Sequence, residues 1–500
     1  MWLLLILGLL GYIYTLYLIL PKSQNVTPLL IRLSSLFLIL KLIDILNLMY
    51  YIQDEILFLD GVHRLGFSLL FYELLLIGFT LMLFQAYTFL LKSGETFMIL
   101  FTNVIAIINL IESYDWLLTL INYELVNITL YLIVSMKNGS EKALSASIKY
   151  FLLSALTTTF LLLSITLIYA ITGTLHWDNL GLLWIFIEDG ADLKLPLFFM
   201  FITIFFKIAA APFHNWSPDL LDAIPTVLTS WMATLPKYGI LLFLVTLANN
   251  ILPMNQTIAS FILFIGLLSI LIGSLGLSNQ WRIKRFLAYS AITNIGFLLL
   301  ALGTNQLDNF VHYFVVYALT SIGIFLILLS IENGPAPGSS PSASEVAPGP
   351  EMINQLAGLT HQNAYLGLSF TFLLFSLMGI PPMAGFFAKL MVLASTLNLG
   401  LYSLALVAVL GSIIGAVNYL IWIKILNMNL TIPNESNLQF QNQTLIGSAQ
   451  RAVTAQRAVS QEMQLSSYSI SIIIAFTVLF YFYPLNFLSV TLSNLLFDFS

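Results

Sequence analysis

The sequence predicts an all-α, polytopic membrane protein of about fourteen transmembrane helices. Three observations carry that prediction. Of the 500 residues, 59% are hydrophobic and only 8% are charged. Apolar runs of about twenty residues, each enough to cross roughly 30 Å of hydrocarbon, recur along the whole chain. Two runs, 195–215 and the over-long 364–397, are interrupted by proline at matching places in two groups of helices. A β-barrel would need short alternating strands, and the sequence has no such pattern.

The first three spans fall near 2–20, 28–52 and 66–91. Five follow near 95–113, 116–136, 147–171, 195–215 and 225–248. Five more lie near 257–277, 286–303, 311–331, 364–397 and 401–426, and a last one near 468–490. Pro212 should break the fourth helix of the first group. Pro381 and Pro382, with Gly379 and Gly385, should break the fourth of the second, because proline removes a backbone donor and clashes with the preceding turn. Broken helices in corresponding positions suggest an internal repeat and an ion pathway, although proline is also tolerated in membrane helices that have no such role. The chain divides into 1–92, a first five-helix unit 93–250, a second 251–427, and 428–500.

The opening run, MWLLLILGLLGYIYTLYLIL, has no basic start and no small-residue cleavage site. It reads as a retained span and neither a signal nor a transit peptide. Basic residues concentrate in loops after odd-numbered spans: Lys22, Lys92, Lys137, Lys142, Arg282, Lys284, Arg285, Arg451 and Arg457, against Arg64 and Lys194 elsewhere. Odd loops should therefore face the cytoplasmic or matrix side, with both termini opposite. Residues 333–350, NGPAPGSSPSASEVAPGP, read as a flexible insert. Residues 427–467 carry AQRAV twice, at 449–453 and 455–459, as an interfacial helix or an expansion without function.

The net charge of −5 is spread over loops and does not point to nucleic acid. Zero cysteine excludes thiolate metal sites and iron–sulfur clusters within this chain. The five histidines lie at scattered depths and form no haem or zinc pattern.

Function then rests on charges inside the apolar runs. A charge at mid-membrane costs about 2.5–3.5 kcal/mol on insertion scales, so it is rarely kept without a task or a partner. Glu124, flanked by Asn122 and Asn127, lies in the fifth span; Lys207 and Lys237 lie in the seventh and eighth. Lys207 is the expected partner of Glu124, and a purely structural ion pair would account for those two but not for Lys237. Lys389 stands beside the break of the second group. A desolvated lysine suits a site that accepts and releases protons. Lys149, opening the sixth span, could snorkel to the surface or stand at the mouth of a half-channel. Arg32, Lys41 and Asp44 on the second span read as scaffold, with Lys41 and Asp44 able to pair at i, i+3. Glu73 is either turned to a partner helix or paired with the second span. His214 and Asp219 flank the first break, His312 reads as a structural histidine, and Lys424 should snorkel.

The motifs FKIAAAPFHNWSPDLLDAIPT, TSWMATLPKYG, ASIKYFLLSAL, WRIKRFLAYSAITNIGF and LFSLMGIPPMAGFFAKLMVL together resemble the family of the second NADH dehydrogenase subunit of respiratory complex I. That family is one of three kinds of antiporter-like membrane subunit, and the resemblance runs from about residue 95 to 426. It implies fourteen helices arranged as two inverted five-helix repeats, each with a discontinuous helix. It also implies a proton-translocating role in an NADH:ubiquinone reductase, with Glu124, Lys207, Lys237 and Lys389 as proton-path residues and Lys149 as an accessory. No cofactor is expected in this chain; FMN, iron–sulfur clusters and ubiquinone would belong to other subunits. Expected partners are the other membrane-arm subunits, the lipid bilayer and protons.

Lysine at 389 is more like this subunit than the fourth, which tends to carry glutamate there. The three initial helices differ from animal versions. Asn294 stands where many relatives have histidine, and the insert at 333–350 is peculiar to this chain. High Phe, Leu and Ile content with no cysteine resembles a mitochondrially encoded chain, in the inner membrane with both termini on the intermembrane-space side. The alternatives are a subunit of a cation/proton antiporter assembly and a structural membrane scaffold.

Overall fold

The computed structural model describes residues 27–51, 67–87, 94–113, 115–135, 141–176, 191–251, 256–278, 280–332, 351–428 and 469–478. The expected first span, the insert at 333–350, the AQRAV duplication and the far end of the last span lie outside the described residues. Those described are helical almost throughout, with two isolated β-bridges, Asp115 to His176 and Arg282 to Met352.

The helices are α1 Thr27–Tyr51, α2 Phe67–Tyr87, α3 Gly94–Ile111, α4 Trp116–Ser135, α5 Glu141–Thr172, α6 Ala191–Ile208, α7 Trp216–Ala223, α8 Thr226–Ala233 and α9 Leu235–Ile251. There follow α10 Gln256–Leu277, α11 Ile283–Gly303, α12 Leu307–Glu332, α13 Ala364–Met378, α14 Ala384–Asn398, α15 Tyr402–Leu426 and α16 Ser469–Val478. Among the described residues eight helical stretches are long and apolar enough to cross a membrane. Two helices begin earlier than hydropathy alone suggests. α5 starts at Glu141 and α12 at Leu307, each with an acidic residue, Glu141 or Asp308, in its first turn. A negative charge there favours the helix dipole, so the helix extends past the end of the apolar run.

Burial sorts the helices into centre and rim. In the membrane-length stretches of α8–α9 and of α11, 94% of residues are buried, against 33% in α5 and α15. α8–α9 from the first five-helix group and α11 from the second therefore both lie in the buried centre, and α8 packs on α11. α7, which follows the first break, packs on both α5 and α11.

Both expected breaks are present. α6 ends at Ile208 and helix resumes at Trp216; α13 ends at Met378 and helix resumes at Ala384. Each gap carries a cis prolyl peptide, Ala211–Pro212 and Pro381–Pro382. Gly379 closes α13 in the left-handed region at φ 81°, which a side chain would disfavour. Gly385 opens the far side, where a Cβ would come within 1.8 Å of the Ser376 carbonyl oxygen.

The stretch 225–248 departs from its expected single helix. It divides at Thr234, between α8 and α9. Pro236 is the physical reason: it has no N–H to donate to the carbonyl of Met232, and its ring crowds that carbonyl, so the α8 hydrogen-bond ladder cannot run on into α9. Lys237 consequently stands in the first turn of α9.

Candidate proton path

Lys207 occupies the last turn of α6 and is 2% exposed. Its ammonium donates to the Tyr150 hydroxyl at 2.6 Å and lies 4.8 Å from that ring's centroid and 5.8 Å from the Tyr123 ring. A quaternary-like seat of this kind satisfies an ammonium partly by hydrogen bonding and partly by the π-face. Tyr123 in turn donates to the Thr203 carbonyl at 3.1 Å, which fixes α4 to α6.

Glu124 does not form the direct ion pair expected with Lys207. Among the ion pairs of the described residues none joins them; the half-buried carboxylate accepts from Asn127 Nδ2 at 3.4 Å. The carboxylate still acts electrostatically on Lys207, Tyr123 and Tyr131. The phenol of Tyr131 meets Ser154 Oγ at 2.5 Å and its ring packs edge-on to Tyr150.

Lys237 is 3% exposed and donates to Ser217 Oγ at 3.2 Å, 5.9 Å from the centre of the Trp216 ring. Trp216 lies 4.8 Å from Tyr150, ring to ring, and donates its indole N–H to the Phe206 carbonyl. The two lysines therefore share one aromatic pair, with Tyr150 at Lys207 and Trp216 at Lys237. Both tryptophan and serine come from the start of α7, directly after the first break.

Next to Lys237, Tyr238 reaches towards the second group. Its hydroxyl meets Ser321 Oγ, and its ring lies 6.0 Å from Tyr317. Tyr317 lines a small cavity together with Asn294, Tyr313, Thr320, Ser376 and Lys389. Tyr313 donates to Asn294 Oδ1 at 2.8 Å, while Asn294 Nδ2 donates to the Ser290 carbonyl at 2.8 Å. Asn294 thus both accepts and donates. Ser376 Oγ is buried without a hydrogen-bond partner.

Lys389 donates to the carbonyls of Leu377 at 2.7 Å and Met378 at 2.9 Å, and lies 5.5 Å from the Phe297 ring centre. Those carbonyls are the ones that the break at Gly379 leaves without helical donors. The lysine therefore closes the open end of the broken helix as well as lining the cavity.

Lys149 is exposed, on the N-terminal part of α5, 3.4 Å from Asp219. Asp219 also takes Arg285 at 3.2 Å, and Asp222 binds Arg282 and, at 3.3 Å, Arg285 Nε. Lys284 donates to the carbonyl of Ile224 just beyond α7. His214 sits in the first break, half-buried beside Tyr289. His312 is buried on α12.

Lys41 departs from its expected partner. It binds Glu112 at 2.5 Å and Glu73 at 3.8 Å, and no pair with Asp44 occurs among the described ion pairs. Glu73 is turned inwards to the second span, the latter of its two readings.

Sequence reasoning noted Asp219 only as a flank of the first break and gave no role to Tyr150, Trp216, Asp222, Tyr238 or Tyr317. With 22 tyrosines in the chain, nothing in the string separates those beside a lysine from those in the packing. Among the described residues no three His, Asp or Glu side chains gather as a metal-binding group.

A bundle of apolar helices enclosing lysines beside interrupted helices defines a polytopic membrane protein with an ionisable interior. The chain belongs to the NADH:quinone oxidoreductase/Mrp antiporter family of membrane proteins, whose sequence profile matches residues 113–415. It is 36% identical to NADH-ubiquinone oxidoreductase chain 2 of Rhizopus oryzae over 389 residues, covering 77% of this chain and 73% of that one. It is 31% identical to NADH-quinone oxidoreductase subunit N of a Wolbachia endosymbiont of Brugia malayi, covering 70% and 72%. Among solved structures it resembles a chain of respiratory complex I from Thermus thermophilus, with a TM-score of 0.73 at 24% identity over 96% of this chain and 97% of that one. A chain of the Mrp complex from a Dietzia species gives a TM-score of 0.72 at 17% identity, covering 94% and 92%. Both structural likenesses are statements about fold.

Proposed function

We infer that the chain serves as a proton-translocating membrane-arm subunit of an NADH:ubiquinone oxidoreductase, with Glu124, Lys207, Lys237 and Lys389 as its line of proton-holding groups. The observation that carries this reading is the continuity of polar and aromatic contacts from Lys207 through Tyr150, Trp216 and Ser217 to Lys237. From there Tyr238 and Tyr317 lead to the cavity at Lys389. Each lysine stands next to a helix interruption, where backbone groups freed from helical pairing can bind water.

In this reading Lys207 releases its proton when the negative charge at Glu124 is withdrawn or balanced. Ser217 and the hydroxyls around Asn294 offer positions at which water passes the proton onward. Lys149, held by Asp219 at the surface, stands at the mouth of the first half. Redox centres and quinone belong to other subunits, and electron transfer there changes the charge along this axis. The full arrangement is fourteen helices, with inverted repeats at 93–250 and 251–427 between a three-helix segment, 1–92, and a final helix. Relatives from fungal mitochondria favour the mitochondrial inner membrane, with both termini on the intermembrane-space side.

Purification of the native assembly in mild detergent tests the reading. Co-purification with flavin- and iron–sulfur-bearing subunits is the expected result; recovery with the subunits of a cation/proton antiporter would overturn it. Full proton pumping after Lys207→Ala and Lys237→Ala together would reduce the chain to a scaffold.

A further inference from the structure

We propose that Lys41, Glu73 and Glu112 form a second proton-binding site, in which the two carboxylates share one proton and Lys41 supplies the counter-charge. The site lies between α1, α2 and the end of α3, helices that pack against one another. None of its members belongs to the path drawn through Glu124 and the three buried lysines.

The argument is one of charge balance. Lys41 Nζ is 2.5 Å from Glu112 Oε1 and 3.8 Å from Glu73 Oε2, so one ammonium serves two carboxyl groups. The side chains of Lys41, Glu73 and Glu112 are 10%, 2% and 14% exposed. With all three groups charged the cluster holds a surplus negative charge, on helix turns next to those of the buried Leu38, Ile45, Leu76 and Ile77. A buried charge without a partner is costly by several kcal/mol. The second carboxylate oxygen of Glu73 identifies where the surplus lies: Oε1 is buried and has no hydrogen-bond partner. A proton on either carboxyl group removes the surplus and supplies the missing donor between the two acids.

A metal cation fits less well. The position between the carboxylates is already taken by Nζ, and hard cations require about six or more oxygen ligands. Of the other titratable groups on the packed helices, Asp44 on α1 acts on Lys41 and adds to the negative side. Tyr72 on α2 faces Asp308 of α12. Lys237 on α9 is turned to Ser217. Arg32, nine residues before Lys41 on α1, is exposed, and no ion pair among the described residues joins it to Glu73 or Glu112. Glu112, just past the end of α3 and the most exposed of the three, is the point at which the proton exchanges with water.

Infrared difference spectroscopy of the assembled, detergent-solubilised complex tests the site without using pumping. At neutral pH wild type should show carboxylic acid carbonyl intensity that disappears in Glu73→Gln and also in Glu112→Gln. In either variant Lys41 is left with a single carboxylate and the remaining pair is fully ionised. Lys41→Met should instead raise that intensity, since both acids then take protons. An unchanged carbonyl region in both glutamine variants overturns the proposal. So does loss of the band on adding sodium or potassium ions at constant pH, which would make the site a metal-ion site. Failure of Glu73→Gln to assemble counts against it as well, because that substitution copies the neutral, protonated cluster.

Discussion

The ammonium of Lys207 and the phenol of Tyr150 are held together at 2.6 Å across the interface of α6 and α5, with Trp216 on the far side of the tyrosine. Among the described residues, the hydrogen bond of the Lys207 ammonium is to an aromatic hydroxyl and not to a carboxylate. That contact sets the first prediction.

Tyr150→Phe keeps the ring under Lys207 and removes only the acceptor. A hydrogen bond to a charged group is worth roughly 1.5–3 kcal/mol. The variant should assemble and should slow proton pumping by about tenfold or more, read as the initial rate of acidification in proteoliposomes. A rate equal to wild type would show that Lys207 acts without Tyr150.

Glu124→Gln should lower pumping with assembly intact, because the carboxylate acts on Lys207 through space. Combined with Lys207→Ala, the loss should be less than additive. Tyr150→Phe with Lys207→Ala should show the stronger coupling, because those two side chains touch. A double-mutant cycle on pumping rate ranks the two pairs, and the reverse order would restore Glu124 as the primary partner.

Lys389 and Lys237 should separate by stability. Lys389→Met leaves the Leu377 and Met378 carbonyls without their donor, at a cost of about 1–3 kcal/mol for each unsatisfied group. Lys237→Met frees only a serine hydroxyl. Thermal unfolding of the purified assembly should therefore fall further for Lys389→Met, while both variants lose pumping. Equal melting temperatures would contradict the capping role.

Gly385→Ala should be among the most damaging small substitutions, since the added methyl would lie 1.8 Å from the Ser376 carbonyl oxygen. Overpacking of this order costs about 1–3 kcal/mol or more. The expected outcome is reduced assembly in membranes, measured by native gel. Normal assembly would mean that α13 and α14 move apart readily at the break.

Proteolysis of residues 333–350 reports the orientation. The distribution of basic residues predicts that insert on the matrix side, opposite both termini. Cleavage from the same side as the termini would change the span count or the orientation.

The helices and both main breaks were legible in the sequence because their causes are local. Hydrocarbon thickness sets a run of about twenty residues, and proline at 212, 381 and 382 cannot donate to a helix. Pro236 carries the same signal, but it sits inside an otherwise unbroken apolar run, so the interruption at Thr234 was read through. Partners were less legible than positions. Lys41 has Asp44 three residues away in sequence, yet its ligand Glu112 is 71 residues distant. Helical spacing puts Lys41 and Asp44 on one face, whereas packing of α1 against α2 and α3 decides which acid is reached. Tyr150 follows Lys149 directly in the chain, but only the crossing of α5 and α6 sets it under Lys207.

The contacts of α7 bear on how such a chain can move. Its two aspartates are gripped from one side by Lys149 of α5 and from the other by Arg282 and Arg285 at the start of α11. The most exposed of these pairs is worth little alone, about 0–1 kcal/mol, but together they tether one short rod to both halves of the bundle. A rod held at both flanks resists swinging from one half towards the other. Displacing the first break would therefore mean parting ion pairs on both flanks of the rod at once, whereas turning a single side chain within it would disturb none of them.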